Sequence, residues 1–385
     1  MLPGFGDRVL GENDLSVGWR ESGGNWFWQL ETQFIDAPLE DDSLRLDGSY
    51  FGYRFDKWQV RAGVPEQWWG PGYQGSLLLG TNARPVPMID VATYKPLDPE
   101  HFLLDWMGDV HVAMFAGQLE SNRVVPQARL LGFRLVMQPS EHWEVGVTRT
   151  AQYGGHGRPE DLKSFVYLVL GHDNRGISRY GETLSVDDEP GNQLAGFDVR
   201  WKSGTPHAGV AVYAQIAGED SQYYLPSKNM LLGGNEYWGE FAGFSWRAYL
   251  EAAVTSADAL RSEVIMNTAY NHSIYRSGYR YRGRVLGHPM DNDGIQQAFG
   301  LVMRTHDGSA LIFQLRRSRL NRDGGGLNSV SMIARDVRDA RLEWKQPWGP
   351  VMLGVGFEWL EDRTELGQQT DKSAFLELAY DIDTR

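Results

Sequence analysis

Along most of the chain, apolar and polar side chains alternate residue by residue. Trp143-Glu144-Val145-Gly146-Val147-Thr148 is one such run, and Phe197-Asp198-Val199-Arg200-Trp201-Lys202 is a second. Ala340-Arg341-Leu342-Glu343-Trp344-Lys345 is a third. Successive side chains of a strand point to opposite faces, so a period of two marks strands with one apolar and one polar face. Comparable runs fall near 13–21, 25–35, 43–55, 57–65, 109–120, 129–138, 142–152, 194–203, 207–217, 244–254, 274–284, 296–305, 308–318, 337–346, 350–361 and 373–383. They predict about sixteen strands. Turn chemistry such as Asp56-Lys57, Gln138-Pro139-Ser140-Glu141 and His306-Asp307-Gly308 separates many of them.

The connections are unequal. Short turns contrast with long irregular stretches near 66–108, 153–193, 218–243 and 319–336. Short turns on one rim and long loops on the other are the pattern of an outer-membrane barrel. Strand ends carry rings, among them Trp26, Tyr50, Trp58, Trp143, Trp246 and Trp344, and such rings favour membrane–water interfaces. One helix is expected inside a long loop. Pro159 fits its first position, Glu160 and Asp161 its first turn, and Gly171 its end. Leu162, Phe165, Val166, Val169 and Leu170 recur at helical spacing. That helix is expected to pack into or over the barrel mouth.

A soluble sandwich or propeller is the competing reading. No repeat of fixed length supports a propeller. Charges such as Asp198, Arg200, Lys202, Arg341, Glu343 and Lys345 stand opposite Trp, Leu and Val on the same strands. In a barrel the apolar face meets lipid and these charges line the lumen. The expected fold is therefore all-β, a transmembrane antiparallel barrel with a short loop helix, formed by residues 1–385 as one domain.

Composition narrows the function. The 385 residues carry 37 Lys and Arg against 50 Asp and Glu, a formal charge of −13. That balance disfavours nucleic acid as a partner. The absence of cysteine excludes a disulfide scaffold, a thiol nucleophile and a thiolate metal site. A mean hydropathy of −0.42 with no long apolar run excludes a membrane-spanning helix but not a barrel, whose strands are only half apolar. Gly-x-Ser-x-Gly, His-Glu-x-x-His and dinucleotide signatures do not occur, so neither an enzyme nor a cofactor is expected.

Several motifs carry binding chemistry. Gln67-Trp68-Trp69-Gly70-Pro71-Gly72 offers paired rings for sugar faces, or a packed turn. Asn82-Ala83-Arg84-Pro85 and Glu189-Pro190-Gly191-Asn192-Gln193 are polar turns whose amides suit hydroxyl-rich ligands. Gly154-Gly155-His156-Gly157-Arg158 lacks phosphate-loop spacing. In segment 275–284, a strand would place Arg276, Arg280, Arg282 and Arg284 on one face and Tyr275, Tyr279 and Tyr281 on the other. The tyrosines would face lipid. The arginines would form a lumen ladder, either paired to acids of the wall or open to uronate carboxylates. Asp291 and Asp293, in Asp291-Asn292-Asp293-Gly294, are weak calcium candidates lacking the distal Glu.

Taken in order, these motifs resemble the Wzi family of outer-membrane capsule-assembly proteins. Phe115-Ala116-Gly117-Gln118-Leu119-Glu120, Arg149-Thr150-Ala151-Gln152 and Gly218-Glu219-Asp220 join them, and the resemblance runs from about residue 12 almost to the end. It implies an eighteen-stranded, largely occluded barrel in the bacterial outer membrane. Eighteen strands are reached if 218–243 and 319–336 hide further ones. It implies a lectin-like protein that binds capsular or related extracellular polysaccharide, with membrane lipid as its other partner and a monomer favoured. The contact candidates are Trp68, Trp69, Arg84, Arg158, Asn192, Gln193, Arg276, Arg280, Arg282 and Arg284. A porin for sugars or anions, with the arginines as selectivity filter, is the alternative, and a membrane hydrolase a more distant third. The family's signal peptide and helical segment are not met ahead of the first strand, and Tyr380 is followed by five residues rather than ending the chain. Trimming at both ends would explain these departures; true absence of the helical segment would instead leave the periplasmic rim without the family's occlusion.

Overall fold

Period-two alternation becomes one antiparallel sheet of eighteen strand segments. The computed structural model describes residues 13–36, 42–99, 104–170, 191–222, 225–257, 259 and 264–380. The first strands are β1 (Asn13–Gly23), β2 (Trp26–Asp36), β3 (Leu44–Arg45), β4 (Tyr50–Phe55), β5 (Trp58–Gly63) and β6 (Met88–Thr93). Next come β7 (Asp109–Gln118), β8 (Arg129–Ser140), β9 (Trp143–Tyr153), β10 (Gly191–Thr205), β11 (Ala208–Gln222), β12 (Leu225–Phe241) and β13 (Phe244–Val254). A separate hairpin follows, β14 (Arg280–Tyr281) with β15 (Arg284–Val285). The wall resumes with β16 (Ile295–Thr305), β17 (Ala310–Leu320), β18 (Arg335–Trp348), β19 (Val351–Thr364) and β20 (Gly367–Tyr380).

Each wall strand pairs with its sequence neighbour. β16 pairs with β13, so 255–294 leaves the ladder as one connection. β3 and β4 lie end to end along β2. Among the described residues no pairing joins β20 to β1.

Side chains sort by face as the alternation requires. Leu315, Leu342 and Phe357 are exposed on the outward face. Inward, Arg134 donates to Asp198 at 2.7 and 2.8 Å, and Arg341 to Glu343 and Glu358 at 3.1 Å each. Two-residue turns gather on one rim, many with the positive φ that tight hairpins need, as at Gly24, Asp56, Ala242 and Gly349. Exposed Trp26, Trp143 and Trp348 flank that rim. Long connections such as 64–87 leave from the other rim, but the one from β6 to β7 begins on the turn rim, where the Tyr94 hydroxyl donates to the Asp56 carbonyl at 2.7 Å.

Two strands escape the pattern. β6 follows Pro85 and Pro87 and is short. β12 occupies most of 218–243, and its Gly233-Gly234 pair breaks the alternation. The gap has a steric reason, because a Cβ on Gly234 would lie 2.5 Å from the Tyr213 ring. The stretch 319–336 hides no additional strand, only the start of β18.

The helix α1 (Leu162–Leu170) also corrects expectation. It begins at Leu162 rather than Pro159, because Asp161 caps it. The Asp161 carboxylate accepts the Ser164 N–H at 3.0 Å and the Ser164 hydroxyl at 2.8 Å. Those bonds, the backbone one first, hold the Asp161 carboxyl below its ordinary range. Gly171, its expected end, lies outside the described residues. The helix does not enter the mouth. Leu168 packs on Ala151 and Tyr153, with Leu131 beside them, and Phe165 meets the Tyr153 ring edge-on at 5.8 Å. On β9 these residues alternate with Thr150 and Gln152, and Gln152 points into the lumen, where it donates to the Gly278 carbonyl at 3.0 Å. Thus α1 lies on the outside of the wall. Arg149, on the same outward face, donates to the carbonyls of Leu168 and Val169 at 2.6 Å each, which satisfies the open end of the helix.

Candidate functional site

Two connections from the loop rim fold inward and fill the mouth: 64–87, and 264–294 with its small hairpin. Wall strands grip the first. Glu251 of β13 accepts the Tyr73 N–H at 2.7 Å, the Gln74 N–H at 3.0 Å and the Tyr213 hydroxyl at 2.8 Å. Gln215 of β11 accepts the Leu77 N–H at 2.8 Å and donates to the Trp69 carbonyl at 3.0 Å. The Tyr73 ring stacks on Tyr249 at 4.3 Å. The two connections then pack on one another. Tyr270 donates to the Leu77 carbonyl at 2.7 Å, and Leu77, Leu78, Tyr270, Tyr279 and Met290 share one buried cluster.

Segment 275–284 lies inside this plug and is not a wall strand. Gly278, Arg282 and Gly283 take positive φ of 73°, 49° and 80°, which turn the chain back on itself. Tyr275, Tyr279 and Tyr281 are buried in the plug rather than facing lipid. Tyr275 donates to the Gly154 carbonyl at 3.1 Å, and burial pushes its hydroxyl up to about 12. The reason is packing. The lumen needs large rings to fill it, whereas a wall strand's outward face is supplied elsewhere.

The arginines consequently part company. Arg280 is buried and gives Nε and Nη2 to Asp291 at 2.7 Å each, Nη1 to Asn271 at 2.9 Å and Nη2 also to the Leu327 carbonyl at 3.1 Å. It holds the plug and leaves nothing for a ligand. Arg276 is exposed. Arg284 is half-buried on β15. Arg282 hydrogen-bonds Asp42, and the same carboxylate accepts Arg84 Nη1 at 2.7 Å. Arg84 also forks onto Asp47 at 2.9 and 3.0 Å. Three connections therefore meet at an Arg84–Asp42–Arg282 bridge on the loop rim. The Asp42 carboxyl is held below the ordinary carboxylate range by Arg84 first and Arg282 second.

The remaining candidates divide. Trp68 is partly exposed, while Trp69 is buried on Phe115 with ring centres 5.1 Å apart and shows no free face. Asn192 is buried and donates to Gln152 at 3.0 Å. Gln193 points to the outer wall, where it donates to the Leu168 carbonyl of α1 at 2.9 Å. Arg158 is half-buried beside Tyr275. Asp291 is occupied by Arg280 and by the Ser329 N–H at 2.8 Å. Asp293 accepts the Asn267 N–H at 2.7 Å and Asn292 Nδ2 at 2.9 Å. Among the described residues no group of three His, Asp or Glu is placed to hold a metal. Asp42, Glu251 and Gln215 escape sequence reasoning, because nothing local distinguishes them from other loop acids or inward-facing polar residues.

Two buried groups of the plug titrate in opposite senses. Burial pushes the Asp293 carboxyl up to about 6; Asp323 and Asp291 push the same way, while the Asn267 N–H and Arg322 oppose. Burial pushes the His288 imidazole down to about 3, and Arg316 adds to this. Between its ordinary 3.8 and about 6, Asp293 binds more protons in the folded state, so its contribution to stability grows as pH falls. Between its ordinary 6.5 and about 3, His288 binds more protons unfolded, so its contribution shrinks as pH falls. The two nearly offset from pH 6 to 4. Asp293→Asn is expected to unmask the histidine and steepen acid destabilisation over that window, and His288→Gln to reverse the slope. Melting temperatures of both variants at pH 4 to 7 check this; parallel curves for all three proteins would remove either group from the account.

The fold and site define a membrane-type β-barrel closed at the loop rim by its own connections. A family model described as "Capsule assembly protein Wzi" matches residues 3–373, and the chain belongs to that family of outer-membrane proteins. A solved structure of Wzi from Escherichia coli, described as an outer membrane protein involved in group 1 capsule assembly and a carbohydrate-binding β-barrel, superposes with a TM-score of 0.81. It is 28% identical, over 95% of this chain and 78% of that one. A Klebsiella pneumoniae protein described as an uncharacterized 55.8 kDa protein in the cps region is 37% identical over 257 residues, 65% of this chain. The match spans about half of that curated relative's length, 48%. The chain is an outer-membrane protein with the Wzi barrel fold.

Proposed function

We propose that this barrel, acting as a monomer and a single domain, binds capsular or related acidic polysaccharide on its loop rim and holds it at the cell surface, without catalysing a reaction. The observation that carries the reading is the filled mouth. A lumen packed with Tyr270, Tyr279 and Leu77 offers a fixed floor for a polymer rather than a passage for solutes. The Escherichia coli relative's description as a carbohydrate-binding barrel points the same way.

The rim chemistry suits an acidic glycan. Arg84 and Arg282 already clasp one carboxylate, that of Asp42, which is part-exposed. A uronate carboxylate has the same planar shape and can take the outer positions of the Arg282 guanidinium, which is 40% exposed. Arg276 adds an exposed cation, and Trp68 adds a partly exposed ring that can stack on a pyranose face. Each exposed ion contact contributes about 0.2–1 kcal/mol, so a long polymer gains by occupying many barrels at once.

Binding of uronate-rich capsular polysaccharide to the detergent-solubilised barrel tests this. Arg276→Ala and Arg282→Ala are expected to weaken it about two- to fivefold each, and the pair to lower capsule retention on cells. Unchanged binding and retention in the pair, with normal barrel insertion, would remove the arginines from the reading.

A further inference from the structure

The outward wall changes character near the loop rim. Over most of β17, β18 and β19 it is apolar and exposed, as at Leu315, Leu342 and Phe357. Then a charged lattice begins. Arg317 on β17 lies directly opposite Arg338 on β18, which lies opposite Glu361 on β19. The next outward row toward the rim is Arg319, Asp336 and Arg363. These positions alternate with Arg316 and Asp339, whose ion pair faces the lumen at 2.8 Å.

The lattice is short of acid. Arg317 and Arg319 approach Asp336 at 2.7 and 4.0 Å, and Arg363 and Arg338 approach Glu361 at 2.9 and 3.8 Å. Four guanidiniums share two carboxylates. The arginine side chains are 39–54% exposed, the acids 12% and 28%. Like charges directly opposite on neighbouring strands are destabilising, and the acids beside the Arg317–Arg338 pair, Asp336 on Arg317 and Glu361 at 3.8 Å from Arg338, are each shared with a second arginine.

A groove of about 780 Å³ adjoins the lattice on the same wall. Arg317 and Arg338 border it, and outward-facing Val212, Leu250, Phe299, Leu315 and Trp359 line it; small Gly233 and Ala252 leave the wall thin there, so that lumen-facing Tyr213, Glu251, Arg316 and Asp339 form its floor. Its height is fixed by the strand. From the aromatic rim at Trp348 to Arg338, β18 rises roughly 34 Å at about 3.4 Å per residue, or about 24 Å along the membrane normal at a 45° tilt. That matches the roughly 25 Å apolar band of such barrels. The arginines therefore stand at the headgroup level of the loop-side leaflet, and Leu315 and Trp359 of the groove lie one outward row further from the rim, on its acyl side.

We propose that this patch binds a bisphosphorylated, multiply acylated glycolipid, lipid A, with phosphate on Arg317 and Arg338 and an acyl chain in the groove. Guanidinium pairs phosphate in a two-pronged fork, and a phosphate between Arg317 and Arg338 supplies the anion the lattice lacks. A glycerophospholipid brings one phosphate; a bisphosphorylated headgroup engages both rows. The site is separate from the polysaccharide rim and does not depend on it.

Titration of the detergent-solubilised full chain with bisphosphorylated lipid A, its dephosphorylated form and phosphatidylglycerol tests the proposal, with bound lipid counted by native mass spectrometry. The unaltered protein is expected to hold lipid A at least tenfold more tightly than either control. Arg317→Gln with Arg338→Gln is expected to remove that preference while the barrel's heat-modifiable migration stays unchanged. Equal binding of lipid A and its dephosphorylated form, equal binding of phosphatidylglycerol, or an unaltered preference in the folded variant would each overturn it. Should the variant not fold, the comparison of the three lipids on the unaltered chain decides.

Discussion

Glu251→Ala is expected to convert a quiet barrel into a conducting one. In planar bilayers the unaltered protein should pass no large steady steps, because 64–87 is seated in the lumen. Its seat is one carboxyl that receives two backbone N–H groups and a tyrosine hydroxyl, at 2.7, 3.0 and 2.8 Å. Truncation leaves the Tyr73 and Gln74 amides and the Tyr213 hydroxyl without their acceptor in a buried site. Each orphaned group costs about 1–3 kcal/mol, so through its two amides the bound position of the loop loses roughly 2–6 kcal/mol. The wall strands keep their own ladder, so the barrel should still insert and migrate as a folded species. Openings should then appear, and melting should begin earlier. Glu251→Gln keeps part of the acceptor capacity and should fall between. A silent Glu251→Ala variant would mean that Gln215 and the apolar cluster seat the loop alone. Steady large steps from the unaltered protein would favour the porin over the polysaccharide-binding reading.

The same plug marks where sequence reasoning stops. Wall strands were legible because a lipid-facing wall imposes strict alternation: every inward Asp198 or Arg341 needs an outward Phe197 or Leu342 beside it. Segment 275–284 alternates as regularly, yet its tyrosines are buried in the lumen. Alternation reports two environments and not which environment is which. Gly278 and Gly283 were the local sign that the chain turns. The bridge at Asp42 was illegible for a different reason. Its partners Arg84 and Arg282 lie 42 and 240 residues away, and only closure of the mouth brings three connections together. Arg280 and Asp291 were each singled out, one as a ligand contact and one as a calcium candidate. Both roles fail for one cause: each satisfies the other.

That mutual satisfaction sets the second large effect. Arg280→Ala is expected to cost about 3–5 kcal/mol in the stability of the plug, because Asp291 then stays buried without its countercharge. Both side chains are almost fully inaccessible, at 9% and 0%. Asp291→Asn should cost less than Arg280→Ala, since an amide still accepts one of the bonds from Arg280 and Ser329. A double-mutant cycle with Arg280→Met and Asp291→Asn should then show coupling of about 1–3 kcal/mol, the range for residues in direct contact within one network. Protease cleavage within 264–294 on the folded barrel gives the readout, since exposure of that connection follows the plug and not the wall. Additive effects would break the link between the two side chains and leave the buried tyrosine cluster as the main restraint on the mouth. Strong coupling, with polysaccharide binding lost in step with protease exposure, would tie the shape of the rim to this one buried pair.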